Sequence, residues 1–234
     1  MNRENSVHDN LIRIKENILN TKLSEGLNQN VTIVAVTKTH PPETINEALK
    51  SGVVHIGENR VQEAESKFKN IVYNGTMTKH MIGHLQSNKI KKALDIFDRI
   101  DSIDTVSLAK KINEKMKTRK NKISALLEVN TSGETNKFGF NTEHIDEMLL
   151  CANLENIHVE GLMTIGPIGG KEKETRAAFS LLRNIYEKMN IDLEVSKKLH
   201  TLSMGMSGDY LLGIKEGSTM VRVGTGLFGK RRMN

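Results

Sequence analysis

The sequence predicts a single domain folded as a (β/α)8 barrel, or TIM barrel, preceded by one extra helix at the amino terminus. Eight segments with the apolar, β-branched character of strands alternate with helical segments, and strict alternation implies a parallel sheet. The chain has 234 residues, which is the size of eight such units. No linker or break in composition divides residues 1–234, so they are predicted to form one domain. An open, doubly wound sheet is the alternative architecture.

The first predicted strand is a mostly apolar or β-branched run at residues 31–38 that ends in Lys38. Such a run suits a strand that is buried on both faces of a parallel sheet. Pro41 and Pro42 cannot continue the strand and suit the first turn of a helix. Lys38 is therefore expected at the carboxyl end of a central strand, where α/β folds bind ligands. A lysine partly shielded from water there has a lowered pKa, and its free amine can attack a carbonyl.

Periodicity and turn residues place the other elements. The extra helix is predicted at about residues 6–20, and Asp104 is predicted to cap the helix that carries Leu108 and Ile112. The remaining strands are predicted at residues 53–56, 79–83, 96–100, 123–130, 159–165, 199–203 and 220–223. The remaining helices are predicted at residues 42–50, 61–70, 142–152, 178–189 and 208–216, with another opening at 85–89.

The composition fits a soluble globular protein, with 37% hydrophobic and 26% charged residues. No apolar run approaches the ~20 residues that a membrane span needs, and the first residues lack the apolar segment of a secretory signal. Cys151 is the single cysteine and cannot form an internal disulfide. These features together predict a cytoplasmic protein without membrane contact.

The net charge of +6 raises the question of nucleic-acid binding. Basic clusters at residues 89–92, 115–122 and 230–232 lie far apart in sequence, and aromatic residues make up only 4% of the chain. A stacking platform for single strands is therefore poorly supplied, and the clusters are interpreted as solvated surface. His80 and His84 do not share a helical face, and the sequence holds no HExxH or CxxC pattern, so no metal site is expected.

Two loops predicted at the carboxyl end of the barrel have the composition of a phosphate site. Residues 203–208 follow strand seven, and Gly224, Thr225 and Gly226 follow strand eight, which lies beside strand one in a closed barrel. Glycine lets backbone N–H groups approach an anion, and serine and threonine add hydroxyl donors. A ligand with both an aldehyde and a phosphate would satisfy Lys38 and these loops. Pyridoxal 5′-phosphate (PLP) is one such ligand, and a sugar phosphate held by a Schiff-base aldolase is another.

Six ordered blocks of the chain resemble the pyridoxal phosphate homeostasis proteins, also called PLP-binding proteins. The blocks are VTK at 36–38, GEN and VQE at 57–63, HMIGHLQSNK at 80–89, GLM at 161–163, LSMGMS at 202–207 and GSTMVRVGT at 217–225. That family is similar to the barrel domain of alanine racemase and of eukaryotic-type ornithine decarboxylase. The resemblance therefore implies a fold-type III PLP barrel, without the β-rich second domain of those enzymes.

The resemblance also implies which residues bind the cofactor. They are Lys38, Asn59, Lys137, Ser203, Arg222, Gly224 and Thr225. Lys38 is implied to carry PLP as a Schiff base, and Arg222 to face the pyridine nitrogen. Gly224 and Thr225 are implied to hold the phosphate, together with Ser203. Asn59 and Lys137 are further candidates near the cofactor.

Arg222 bears on whether such a site would be catalytic. Arginine stays protonated, so its charge disfavours a proton on the pyridine nitrogen and makes the ring a poorer electron sink. A racemase of this fold compensates with a tyrosine from the second domain of its partner subunit, and no such domain is expected in a chain that ends at Asn234. Tyr73, Tyr186 and Tyr210 fall in predicted helical or loop segments, and Tyr210 is the nearest to the loop after strand seven.

The expected function is intracellular PLP (vitamin B6) homeostasis by a monomeric protein without catalytic turnover. PLP-dependent apoenzymes are the recipients that this role would imply. A small PLP-dependent amino-acid racemase or decarboxylase is the alternative, followed by a Schiff-base aldolase and, last, a nucleic-acid-binding module.

Overall fold

In the computed structural model, which describes residues 6–73 and 75–229, eight parallel strands close into a barrel in chain order. The strands are β1 Thr32–Val36, β2 His55–Glu58, β3 Thr78–Met81, β4 Arg99–Ile103, β5 Ile123–Glu128, β6 Ile157–Met163, β7 Thr201–Met206 and β8 Met220–Val223. β1 pairs in parallel with both β2 and β8, which confirms the closed barrel over the open sheet. The β1–β8 register places Val34 opposite Arg222, so the two predicted site strands are neighbours.

Helices follow the strands around the outside of the barrel. They are α1 Val7–Ser24, α2 Pro42–Lys50, α3 Val61–Phe68, α4 Ile90–Ile96, α5 Val106–Met116, α6 Ile145–Ala152, α7 Glu172–Asp192, α8 Tyr210–Lys215 and α9 Thr225–Phe228. The predicted extra helix is α1, which begins in a capping box in which Ser6 and Asp9 bond each other's backbone N–H groups. Asn10 joins α1 to the end of the chain, because its side-chain amide donates to the Leu227 carbonyl at 2.9 Å.

The core has two layers, as expected for this fold. Val34, Leu126, Met163 and Met220 form a small buried cluster that joins strands from opposite sides of the barrel and so fills its interior. A much larger apolar layer lies between the sheet and the helices. Cys151 belongs to that outer layer, where burial raises the pKa of its thiol to about 12. This placement agrees with a packing role for the cysteine.

Several predicted element boundaries are wrong by a few residues. β1 ends at Val36, so Lys38 lies in the turn after the strand and not within it. Asp104 does not cap the next helix; Thr105 does, by accepting the Leu108 N–H at 3.2 Å. The Asp104 carboxylate instead lies 2.7 Å from Nδ1 of His84, a tertiary contact that local capping preferences cannot reveal.

A hydrogen-bonded network of polar side chains lies at the amino-terminal end of the barrel. Nε2 of the fully buried His80 lies 3.0 Å from Nδ1 of His55, and its Nδ1 lies 2.6 Å from Asp101. Burial and the neighbouring His80 lower the pKa of His55 to about 4. Arg99 continues the network with a bond to Asp101 at 2.7 Å and another to Glu160 at 2.8 Å. This network fixes His55 at the start of β2.

Two of the remaining predictions concern membrane-spanning helices and a basic cluster. Among the described residues, no helix has the length and apolar character that crossing a membrane requires. The predicted basic cluster at residues 230–232 lies outside the described residues.

Candidate functional site

A cavity of about 280 Å³ opens at the carboxyl ends of β1, β7 and β8. Its lining residues are Val36, Lys38, His40, Met206, Ser207, Gly208, Arg222, Gly224 and Thr225. Four of the predicted site residues, Lys38, Arg222, Gly224 and Thr225, therefore line one cavity. The strand order explains this result, because closing the barrel brings the ends of β1 and β8 side by side.

Lys38 is half-buried in a turn whose two flanking residues are fixed by hydrogen bonds. On its amino side, the Thr37 N–H donates to the Gly57 carbonyl at 3.0 Å and extends the β1–β2 pairing. The Thr37 carbonyl accepts from Lys67 Nζ at 2.8 Å. The same ammonium lies 2.8 Å from the fully buried Glu58, which also accepts from the Thr37 hydroxyl at 2.6 Å. Burial raises the pKa of Glu58, although the bonds from Lys67 and Thr37 act in the opposite direction.

On the carboxyl side of Lys38, the backbone takes a conformation that threonine rarely adopts. Thr39 has φ 67°, in the left-handed region. Its N–H donates to Glu63 at 2.6 Å, and Glu63 lies 2.6 Å from Lys67. Burial would raise the pKa of Glu63, but the bonds from Lys67 and Thr39 outweigh it and hold the pKa below its usual value. One ammonium and two carboxylates therefore fix the backbone on both sides of Lys38, and sites that bind ligands are where such strain is commonly found.

Arg222 is a buried cation at the base of the cavity, with 4% of its surface exposed. Nη1 donates to the carbonyl and the hydroxyl of Ser203 at 3.0 and 2.6 Å, and Nη2 donates to the Thr164 carbonyl at 2.8 Å. Burial lowers the pKa of the guanidinium, and the nearby Glu128 opposes that shift. The guanidinium is thus held mainly by neutral oxygens, which leave its positive charge available to a ligand.

The backbone N–H groups of the β8 loop converge on a single oxygen. Gly224 and Gly226 donate to Ser207 Oγ at 3.1 and 3.0 Å. Ser207 lines the cavity, whereas Ser203 is fully buried beneath Arg222. The structure therefore does not bring the predicted Ser203 to the cavity surface, and it brings Ser207 there instead. Both serines belong to the LSMGMS block, and the phosphate-binding role of Ser203 stays a prediction.

The other two predicted residues line neighbouring cavities. Asn59 lines a cavity of about 560 Å³ beside β2 and β3. Lys137 lines one of about 130 Å³ near β5, where its Nζ donates to the Gly166 carbonyl at 2.7 Å and lies 2.5 Å from Glu134. Neither residue joins Lys38 in the cavity described above. Asn59 lies in the two-residue connection between β2 and α3, whereas Lys137 lies in the long loop between β5 and α6, whose path motif matching does not specify.

Glu128 ends β5 at the same end of the barrel and was not singled out from the sequence. It is 8% exposed and lines the Lys137 cavity. Burial raises its pKa to about 7, although the charge of Arg222 acts in the opposite direction. The Glu128 carboxyl therefore keeps its proton to a higher pH than the carboxyl of an exposed glutamate does.

Glu128→Gln is expected to make the protein less sensitive to rising pH. The folded-state pKa of about 7 exceeds the ordinary 4.5, so the wild-type carboxyl lowers stability progressively as the pH rises between these values. The full shift corresponds to about 3 kcal/mol. Urea unfolding of both proteins is measured at about pH 5 and about pH 8. The free energy of unfolding of the variant should exceed that of wild type by more at the higher pH. Glu143→Gln, at an exposed position, is the control. An equal gain at both pH values would contradict the assignment.

Comparison with known proteins gives the class of the protein first. Residues 10–232 match the family described as alanine racemase, N-terminal domain. Two curated relatives, both named pyridoxal phosphate homeostasis protein, are 36% identical. The one from Schizosaccharomyces pombe aligns over 92% of this chain and 90% of its own length, and the one from Haemophilus influenzae over 97% and 96%. A solved structure of PipY from Synechococcus elongatus, with PLP bound, superposes with a TM-score of 0.84 at 33% identity and covers 96% of this chain and 100% of its own.

The match defines a protein built on the alanine racemase amino-terminal barrel. Within that class, the chain belongs to the pyridoxal phosphate homeostasis protein family. The predicted family and barrel type are both confirmed.

Proposed function

We propose that this protein binds PLP in the Lys38 cavity and serves to store and release it. The observation that carries the proposal is the meeting of a primary amine, a buried cation and converging N–H groups around one cavity of about 280 Å³. The names of the relatives, and the PLP bound to PipY, support the same ligand. Bound PLP supplies an aldehyde that condenses with a primary amine.

Each part of the cavity suits one part of that ligand. Lys38 offers the amine for a covalent link to the aldehyde. The N–H groups of Gly224 and Gly226, with the hydroxyls of Ser207 and Thr225, offer donors to the phosphate. Arg222 is proposed to face the ring nitrogen, where its positive charge would discourage protonation. A pyridine ring without that proton is a weak electron sink, and it therefore suits a carrier better than a catalyst.

The position of the tyrosines supports the absence of turnover. The hydroxyl of Tyr210 bonds Asn17 on α1 at 3.1 Å, and that of Tyr186 donates to the Leu199 carbonyl at 2.8 Å. Neither is among the residues that line the Lys38 cavity. A PLP-dependent racemase or decarboxylase remains the second candidate because an imidazole, that of His40, also lines the cavity, and histidine is the most frequent acid–base group of enzymes. PLP-dependent apoenzymes are the recipients proposed for the released cofactor.

Lys38→Ala is expected to abolish covalent binding of PLP. Purified protein is mixed with PLP, the visible absorbance of the imine is recorded, and borohydride reduction is followed by mapping of the modified peptide. Wild type should be modified at Lys38, and Lys69→Ala, which removes a lysine whose side chain is 72% exposed, should behave like wild type. Retention of the reduced adduct by Lys38→Ala would contradict the proposal.

Incubation with L- and D-amino acids separates the carrier from the enzyme. The carrier proposal expects racemisation and decarboxylation no faster with wild type than with Lys38→Ala. Turnover above that background, and lost in His40→Ala, would favour the second candidate. Transfer of PLP to an added apoenzyme, measured by recovery of its activity, tests the proposed release.

A further inference from the structure

Three metal-ligating side chains converge at the amino-terminal end of the barrel, opposite the Lys38 cavity. They are His158 and Glu160 on β6 and His200 just before β7. One ligand atom from each residue lies within 4.8 Å of the corresponding atoms of the other two. Both histidines are exposed and Glu160 is half-buried, so an ion could reach the group from solvent.

The backbone fixes this spacing. His158 and Glu160 are two residues apart on β6, where the β5–β6 register shifts at Glu160, and their ligand atoms lie within 4.8 Å of each other. The His200 N–H donates to the Glu160 carbonyl at 2.8 Å, which places His200 beside Glu160 on the neighbouring strand. The β6–β7 pairing therefore brings the three residues together at one place on the sheet.

Further contacts orient two of the three groups. Glu160 accepts from Ser124 Oγ at 2.7 Å and from Arg99 at 2.8 Å. Thr201 Oγ1 lies 3.1 Å from Nδ1 of His200. A contact of this kind orients an imidazole whose other nitrogen binds a metal.

The charge balance of the group also permits a cation. The single positive charge of Arg99 is shared between Glu160 and Asp101, at 2.8 and 2.7 Å. Asp101 also lies 2.6 Å from Nδ1 of His80, so it does not depend on Arg99 alone, and Glu160 is the carboxylate that meets the two exposed histidines. Nη2 of Arg99 has no hydrogen-bond partner among the described residues, so the guanidinium is not fully engaged in holding the carboxylates.

We propose that His158, Glu160 and His200 bind a divalent first-row transition ion, Zn²⁺ in the first instance. Two imidazoles and one carboxylate are a usual protein ligand set for zinc, and water completes the coordination. Imidazole nitrogen favours such ions over Mg²⁺ and Ca²⁺, which prefer oxygen. No short sequence motif indicates this site, because His200 joins His158 and Glu160 only through the pairing of β6 with β7. The site is independent of the proposed PLP function.

Calorimetric titration of the full chain with Zn²⁺ tests the proposal, with protein that carries no polyhistidine tag and no added PLP. We expect one saturable site per chain, weakened about tenfold or more in His158→Ala and in His200→Ala. His144→Ala is the matched control, since His144 is exposed and lies 3.5 Å from Glu147 with no third ligand group near them among the described residues. It should bind Zn²⁺ like wild type. Co²⁺ should give visible absorption bands in wild type that both site variants lose.

Circular dichroism establishes that each variant is folded, and His158→Gln and His200→Gln replace any alanine variant that is not. Absence of saturable Zn²⁺ binding by wild type would overturn the proposal. So would binding that is the same in wild type and in both folded site variants, or that His144→Ala weakens as strongly as they do.

Discussion

Lys67→Met is expected to lower the free energy of unfolding by about 3–5 kcal/mol, because it leaves a buried carboxylate without its cation. Lys67 Nζ lies 2.8 Å from the fully buried Glu58 and 2.6 Å from Glu63. It also holds the Thr37 carbonyl, so the turn that presents Lys38 loses its support at the same time. Urea unfolding measures the loss of stability, and borohydride trapping of PLP measures the loss of a well-placed amine.

The same helix offers a matched control. Lys69 forms an ion pair with Glu65 at the same four-residue spacing, at 3.6 Å, but 72% of its side chain is exposed. Lys69→Met should therefore cost no more than about 0.5 kcal/mol. Glu58→Gln combined with Lys67→Met should recover part of the loss, since it removes the unpaired charge. Equal effects of Lys67→Met and Lys69→Met would show that burial of the cluster is unimportant.

Gly161→Ala is expected to destabilise the barrel by about 3 kcal/mol or more, or to prevent folding. Gly161 lies on β6 directly opposite Thr201 of β7. A β-carbon at this position would lie 1.8 Å from the Thr201 carbonyl oxygen. The obstacle is backbone within the sheet, so relief requires the two strands to separate.

Gly208→Ala is the control for the loss of a glycine, because a β-carbon there meets nothing within 4 Å. It should change the free energy of unfolding by no more than about 0.5 kcal/mol. The two variants are compared by soluble yield and by the urea midpoint of unfolding. Similar midpoints would mean that the β6–β7 pair can move apart at little cost.

The sequence was sufficient to predict the barrel because its alternation of strands and helices is a local pattern repeated along the whole chain. It was also sufficient to bring Lys38, Arg222, Gly224 and Thr225 together, since strand order in a closed barrel makes the first and last strands neighbours. Strand ends were less predictable. β1 stops at Val36, the last residue in register with β2, although the β-branched character and one hydrogen bond to Gly57 continue into Thr37.

The rest of the site depends on tertiary contacts that leave little trace in the sequence. Ser203 and Ser207 have the same chemistry four positions apart, and only the path of the chain after β7 decides which one reaches the cavity. Lys67 belongs to no motif and is one of many lysines on helices. Its role becomes visible only when Glu58 and the Thr37 carbonyl are seen beside it.

The bond pattern around Ser207 has a consequence for the kinetics of ligand exchange. The loops that follow β7 and β8 are already joined, because the Gly224 and Gly226 N–H groups share the Ser207 oxygen. An arriving anion replaces the Ser207 oxygen as the acceptor of these two N–H groups. The two loops do not first have to be brought together, so little conformational entropy is lost on binding. Departure is equally simple, because the hydroxyl takes back the same donors. In the proposed storage of PLP, the slow step of release is then the breaking of the covalent link to Lys38, and not a movement of the loops.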